Sequence, residues 1–225
     1  NKTANMSTVP ESVQNAVLVK SAFNSNDNTA VKGYDFSNGA DLDSLAASML
    51  TTGFQATNVG LAINEINRML AWRLSDRPIK ETDSDEFKTP EYRSNAKCTI
   101  FLSYTSNLIS SGLRETIRFL VKNKLVDAIV TTAGGVEEDF IKCLAPTYMG
   151  DFKLNGAELR RKGVNRCGNL IVPNENYCLF EDWVNPILNT MTDEQVANGT
   201  RWTPSTVIDR LGKEINNKES VYYWA

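Results

Sequence analysis

Three short runs of β-forming residues, each followed by a polar turn and then by an apolar repeat at helical spacing, limit this chain more than any other feature. Cys98-Thr99-Ile100-Phe101-Leu102 runs into the turn Tyr104-Thr105-Ser106-Asn107 and a helix with Leu113, Ile117 and Leu120 on one face. Asp127-Ala128-Ile129-Val130-Thr131 forms a second strand. Its turn is Thr132-Ala133-Gly134-Gly135, and its helix starts at Val136-Glu137-Glu138-Asp139. The third strand is Gly168-Asn169-Leu170-Ile171-Val172-Pro173, followed by a loop and a helix over about Phe180 to Met191. The strands are continuous apolar runs, as strands covered on both faces are. Strand and helix in alternation predict an α/β fold: a Rossmann-like doubly wound, mainly parallel sheet with helices on both faces.

Upstream, Pro10 suits the first turn of a short helix in which Val13, Val17 and Leu18 share a face. Asp41 caps a helix through Leu45 and Met49, broken at Thr51-Thr52-Gly53. A longer helix carries Val59, Ile63, Ile66 and Leu70 as an apolar stripe. Residues 75–97 read as a polar surface excursion. Trp202-Thr203-Pro204-Ser205 opens a last helix through Val207, Ile208 and Leu211.

Charge and cysteine usage narrow the function classes. Lys+Arg is 24 against Asp+Glu 27, a formal net charge of −3, so the basic excess of nucleic-acid-binding surfaces is missing. The sequence has no histidine, which excludes a Ser-His-Asp triad, a Cys-His dyad and a His-bearing zinc site built from this chain alone. Cys98, Cys143, Cys167 and Cys178 lie apart without CxxC spacing and read as thiols of a reducing compartment. No apolar run approaches the roughly 18 residues of a membrane span, and no signal-peptide core is present. A cytoplasmic protein is expected, with the Asn1, Asn5 and Asn198 sequons as chance matches. The start at Asn1 and the apolar aromatic run Ser220-Val221-Tyr222-Tyr223-Trp224-Ala225 lead us to expect the N-terminal piece of a longer protein.

In open α/β sheets ligands bind outside the carboxyl ends of the strands. Thr105 to Gly112 and Thr132 to Gly135 stand there. Their hydroxyls and glycines suit helix starts whose amides face a phosphate, and together they could hold a pyrophosphate. They equally suit plain turns, since the G-x-G-x-x-G fingerprint is absent. Glu137-Glu138-Asp139 reads either as acids favoured by a helix N-terminus or as carboxylates facing the crevice toward ribose hydroxyls or an amine. Asn174-Glu175-Asn176-Tyr177 lines the same cleft or is an ordinary polar loop. Arg160-Arg161-Lys162 reads as a solvated basic face, and Trp183, Trp202 and Trp224 as core or interface residues.

Thr99 to Gly112, Val130 to Asp139, Cys143-Leu144-Ala145-Pro146-Thr147-Tyr148 and Asn169 to Tyr177 closely resemble deoxyhypusine synthase. So do Gly33-Tyr34-Asp35-Phe36, Thr51 to Asn58 and Gly212-Lys213-Glu214-Ile215-Asn216-Asn217. The resemblance implies an NAD-dependent transferase that moves the 4-aminobutyl group of spermidine to one lysine of the translation initiation factor 5A precursor, the first step of hypusine biosynthesis. It implies a homotetramer of Rossmann-like subunits, or a tetramer of split chains. Carried over by motif, Ser106, Asn107, Leu108, Ile109, Ser110, Thr132, Ala133, Gly134 and Glu138 contact NAD, and Glu137 and Glu138 contact spermidine. Residues 1–40 are then an N-terminal extension with a short helix, and 41–225 the N-terminal portion of an NAD-binding domain incomplete at its C-terminus. The family's nucleophilic lysine belongs to its C-terminal third. None of Lys122, Lys124, Lys142 or Lys153 occupies that motif, so no catalytic residue and no metal ligand is assigned in this chain. Activity is expected only together with a C-terminal polypeptide of the same protein. The alternative is a catalytically inactive regulatory subunit that activates a paralogue. Ser103 stands where glycine is usual and Cys167 where an aliphatic residue is usual.

Overall fold

A computed structural model describes residues 10–17 and 25–225, which divide into two units between Cys98 and Thr99. In the first unit, α1 is Glu11–Val17. The expected partner Leu18 lies outside the described residues. The Asp41 carboxylate accepts from the Ser44 amide at 2.8 Å and starts α2, Leu42–Thr52. Gly53, at φ 99°, ends that helix, and α3, Phe54–Ala71, begins at once. The two helices touch closely at Gly60, where a Cβ would lie 2.5 Å from the Leu50 backbone. The expected apolar stripe does lie on one helix, but Val59, Ile66 and Leu70 are about half exposed, at 51%, 51% and 52%.

Residues 75–97 hold more order than their composition suggests. Two short helices, α4 (Asp85–Lys88) and α5 (Pro90–Asn95), are tied by one buried side chain. The Arg93 guanidinium donates to the carbonyls of Phe87 at 3.0 Å, Leu74 at 2.8 Å and Arg77. A buried arginine is tolerable only when its donors are satisfied, and here three backbone carbonyls, two from the turn at 74–77 and one from α4, do so.

The second unit begins with β1, Phe101–Tyr104, followed by α6 (Ser106–Ser110), α7 (Leu113–Lys122), β2 (Ala128–Thr131) and α8 (Ala133–Leu144). β1 and β2 pair in parallel, Phe101 opposite Ala128 and Tyr104 opposite Thr131. β1 starts three residues later than expected because Ile100 is used otherwise. Its amide donates to the Asp127 carboxylate at 2.7 Å, and its carbonyl accepts from the Asp127 and Ala128 amides. On α7 the buried residues are Arg114, Ile117 and Val121 rather than Leu113, Ile117 and Leu120. Arg114 turns inward because its charge is matched there by Asp139.

Next come β3 (Tyr148–Met149), α9 (Gly156–Arg161), β4 (Val164–Cys167) and β5 (Leu170–Pro173). The expected third parallel strand is corrected here: β5 is the centre of a small antiparallel sheet in the order β3-β5-β4. The turn Gly168-Asn169, with Gly168 at φ 59°, folds β5 directly back on β4, so no crossover intervenes. Within these residues the fold is mixed α/β with small sheets. Arg160, Arg161 and Lys162 are exposed, as a solvated face requires.

α10, Asn174–Asn198, starts at the residue after β5 and contains Pro186. The expected Asn174–Tyr177 loop is therefore its first turn. α11 is Pro204–Ile215, with Thr203 and Thr206 forming a reciprocal cap and Pro204 in the first turn. α12 is Val221–Trp224. The core joins Tyr104, Ile109, Ile117, Val121, Phe140, Leu211, Val221 and Tyr222. Trp183 packs on Phe140, ring centroids 5.2 Å apart, and the indoles of Trp202 and Trp224 donate to the Met191 and Lys218 carbonyls. All four cysteines are unpaired. Among the described residues no helix is long and apolar enough to cross a membrane.

Candidate functional site

The parallel register places the ends of β1 and β2 side by side, so the two helix starts that follow them are neighbours. Thr105 and Thr132 are extended caps, and neither side chain caps its helix. First-turn amides without an internal partner are thus left for something else to satisfy. Gly134 and Gly135 belong to α8 and not to a loop. The Gly135 amide already donates to the Thr132 carbonyl at 2.9 Å, closing the first turn. Their small size has another use. A Cβ on Gly134 would stand 3.1 Å from the Ser106 Cβ, and one on Gly135 only 2.1 Å from the Thr131 hydroxyl oxygen. That hydroxyl donates to the Tyr104 carbonyl at 2.9 Å and stitches the strand ends together. The glycines let α8 approach both turns.

The predicted residues occupy distinct positions around this junction. Ser106 is half-buried on α6; Asn107 and Leu108 are exposed. Ile109 is fully buried in the core, and the buried Ser110 hydroxyl donates to the Ser106 carbonyl at 3.3 Å. Thr132 and Ala133 are exposed and Gly134 is half-buried. Glu137 and Glu138 are half-buried on α8.

Glu138 is the most unusual group here. Its Oε2 is buried and has no hydrogen-bond partner. Burial pushes its carboxyl above the ordinary carboxylate range, and the Glu137 charge pushes the same way. Ser110, Tyr177 and Lys142 oppose that shift. Burial, followed by the two glutamates, raises the Tyr177 phenol in turn. So Ser106, Ser110, Gly134, Glu137 and Glu138 are brought together, and Tyr177 joins them from the first turn of α10. The Cys167 thiol reaches Asn107 Oδ1 at 3.5 Å. Such a cluster, a desolvated carboxylate beside two helix starts without side-chain caps, can take up a cationic amine and an anion together.

Two neighbouring groups are structural instead. The Lys142 ammonium donates to the Ile109 and Ser111 carbonyls at 3.0 Å each, closing the end of α6. Asn176 is buried and donates to the Pro146 carbonyl at 2.9 Å. Sequence reasoning missed the role of Asp139, the third acid of the run. It is fully buried and accepts from Arg114 Nε at 2.8 Å, the Ser220 hydroxyl at 2.5 Å and the Val221 amide at 3.0 Å. Helical geometry held the signal: Asp139 stands four residues after Gly135 and four before Cys143, on the inward face of α8. Among the described residues no cluster of metal-ligating side chains occurs.

Comparison with known proteins identifies the family. The sequence profile of the family "DS: Deoxyhypusine synthase" matches residues 44–225. A probable deoxyhypusine synthase of Dictyostelium discoideum is 62% identical over 195 residues, covering 87% of this chain and 51% of that protein. One from Drosophila melanogaster is 57% identical over 221 residues, covering 98% of this chain and 60% of that protein. A crystal structure from Entamoeba histolytica, assigned provisionally to deoxyhypusine synthase, superposes with a TM-score of 0.57 at 33% identity, over 87% of this chain and 58% of that one. The chain spans about half the length of the curated relatives it matches. A profile match over most of the sequence, with relatives above half identity, places this chain in the deoxyhypusine synthase family.

Proposed function

We propose that this chain forms the nucleotide- and polyamine-binding part of a deoxyhypusine synthase, which transfers the 4-aminobutyl group of spermidine to a lysine of the translation initiation factor 5A precursor. The buried, unpartnered Glu138 oxygen beside Glu137 and Tyr177 carries this reading. An orphaned acceptor costs about 1–3 kcal/mol, and a ligand hydroxyl or ammonium would remove that cost. The junction also fits NAD, because Gly134 leaves open the space a Cβ would close against Ser106. Ser106, Asn107, Leu108, Ile109 and Ser110 on one side, and Thr132, Ala133, Gly134 and Glu138 on the other, would hold it. When bound, NAD supplies the hydride acceptor for oxidation of the polyamine carbon beside its secondary amine. Glu137 and Glu138 bind and orient the ammonium groups of spermidine. The nucleophilic lysine is expected in the length of the family that this chain does not span. The β1–β2 pair is then the start of a larger, doubly wound parallel sheet. The working form is a cytoplasmic tetramer in which residues 41–225 supply one portion of the NAD-binding domain.

Glu137→Gln tests the site in a full-length enzyme carrying this segment. Loss of a charge-assisted hydrogen bond worth roughly 1.5–3 kcal/mol predicts a KM for spermidine raised at least about tenfold, with Tm nearly unchanged. A fall in Tm with unaltered spermidine kinetics would leave Glu137 as a helix-dipole residue and overturn the assignment.

A further inference from the structure

Lys142 stands four residues after Glu138 on α8, so the two side chains share one face of that helix. Its ammonium reaches across to α6 and donates to the Ile109 and Ser111 carbonyls at 3.0 Å each. Those two carbonyls flank Ser110, which is buried and has its hydroxyl beside the Glu138 carboxyl. One cation from α8 therefore fixes the backbone on both sides of the serine that meets this carboxyl. A basic side chain in the last turn of a helix commonly binds that helix's own carbonyls. Here the lysine comes from another helix, 33 and 31 positions along the chain from the carbonyls it holds.

The charges around Glu138 give that clamp a second effect. On α8, Glu137 adds a like charge; Ser110 of α6 and Tyr177 of α10 offer only hydroxyls. Among the described residues acting on this carboxyl, Lys142 supplies the positive charge. A nearby opposite charge favours the ionised form of a carboxyl, and the ionised form is the one that attracts a polyamine. Burial lowers the Lys142 ammonium below the ordinary lysine range, and Arg114 of α7 pushes the same way. Glu115 of α7, with Asp139 and Glu138 of α8, holds it charged.

We propose that Lys142 is a positioning residue, which touches neither ligand but holds Ser110 of α6 beside Glu138 and keeps that carboxylate charged for the polyamine. The inference rests on the reading of Glu137 and Glu138 as the spermidine contacts. It joins the two halves of the site, because α6 bears dinucleotide contacts and Glu138 a polyamine contact. No covalent step passes through the Lys142 amine.

The test places Lys142→Met and Lys142→Arg in a full-length enzyme carrying this segment and reads spermidine KM from about pH 6 to about pH 9. In Lys142→Met the Glu138 carboxyl loses its counter-charge and takes up a proton at higher pH. The ratio of its KM to that of the parent enzyme is expected to be at least about threefold at about pH 6, and to fall toward the alkaline end as Glu138 ionises in both. Lys142→Arg keeps the charge and the donors for both carbonyls, so its ratio should stay flat and below about twofold. Should Lys142→Met fail to fold, Lys142→Gln, which drops the charge and keeps an amide donor, is expected to give the same sloping ratio. A ratio constant across pH in the uncharged variant leaves Lys142 as a plain clamp and overturns the proposal, as does an equal slope in Lys142→Arg. Glu137→Gln in the same enzyme reads the site itself. A raised spermidine KM there, with a flat Lys142→Met ratio, sinks the positioning role alone; an unaltered KM in Glu137→Gln overturns both ideas.

Discussion

Two adjacent acids on α8, Glu138 and Asp139, meet opposite fates, decided by where each side chain points. Asp139 faces inward and anchors Arg114, Ser220 and Val221. Removing one member of a buried ion pair leaves the other charge uncompensated, at a cost of about 3–5 kcal/mol. Asp139→Ala is therefore expected to lower stability by that amount in urea unfolding, and a loss below ~1 kcal/mol would contradict the role. Glu138 behaves oppositely. Its carboxyl is raised above the ordinary range by burial, so the folded state holds its proton more tightly than the unfolded chain does. Such a group contributes less stability once pH rises through its folded pKa. Glu138→Gln should thus raise Tm of the unliganded chain at pH 7 by roughly 2–4 °C, for ~1 kcal/mol recovered. That gain should vanish below about pH 4, where the native carboxyl is protonated in both states. A thermal scan across pH checks the sign. The neighbouring Cys143 thiol is pushed up to about 11 by burial, so it stays protonated beside Arg114.

At the scale of elements, α8 links the proposed site to the rest of its unit. Its first turn presses on the start of α6 through Gly134 and on β2 through Gly135, and its middle grips α12 through Asp139. The Tyr222 hydroxyl lies 2.8 Å from the Tyr104 hydroxyl and donates to the Gly135 carbonyl at 3.3 Å, closing the same contact from α12. In an open helix, replacing glycine by alanine stabilises by about 1 kcal/mol. The close approach to Thr131 reverses the sign. Gly135→Ala should destabilise by about 1–3 kcal/mol, and more than Gly134→Ala, which differential scanning calorimetry would resolve. Local signals foretold the ends of several elements, because Asp41, Thr203 and Pro204 act on their own first turns. The two-residue turn Gly168-Asn169 was an equally local hairpin signal that our reading of a parallel third strand passed over. β4 itself, Val-Asn-Arg-Cys, is too polar and exposed to look like a strand by periodicity.

For the whole molecule, the length of the relatives matters more than any single contact. In the proposed reaction a lysine amine has to stand near the reacting carbon, as amine nucleophiles do in Schiff-base chemistry. Lys142, the lysine beside the proposed site, is engaged with the Ile109 and Ser111 carbonyls. The 225-residue chain alone is therefore expected to form no deoxyhypusine, and supplying the remaining family length should restore turnover. Robust product from the isolated chain in a radiolabelled-spermidine assay would refute this. The family and the β1–β2 pair with the helix starts that follow it were legible in the sequence, whereas Ser106, Gly134 and Glu138 as one site came only from the family resemblance, since spacing alone suited plain turns equally well. Strand propensity, capping and motif spacing act over a few residues and survive without knowledge of the fold. Only the tertiary structure decided that Asp139 is an internal anchor while one buried oxygen of Glu138 is left without a hydrogen-bond partner. It also decided that β5 turns back on β4, and that the stripe on α3 stays half exposed. Burial, partner choice and strand direction depend on residues tens of positions away, and no local pattern encodes those distances.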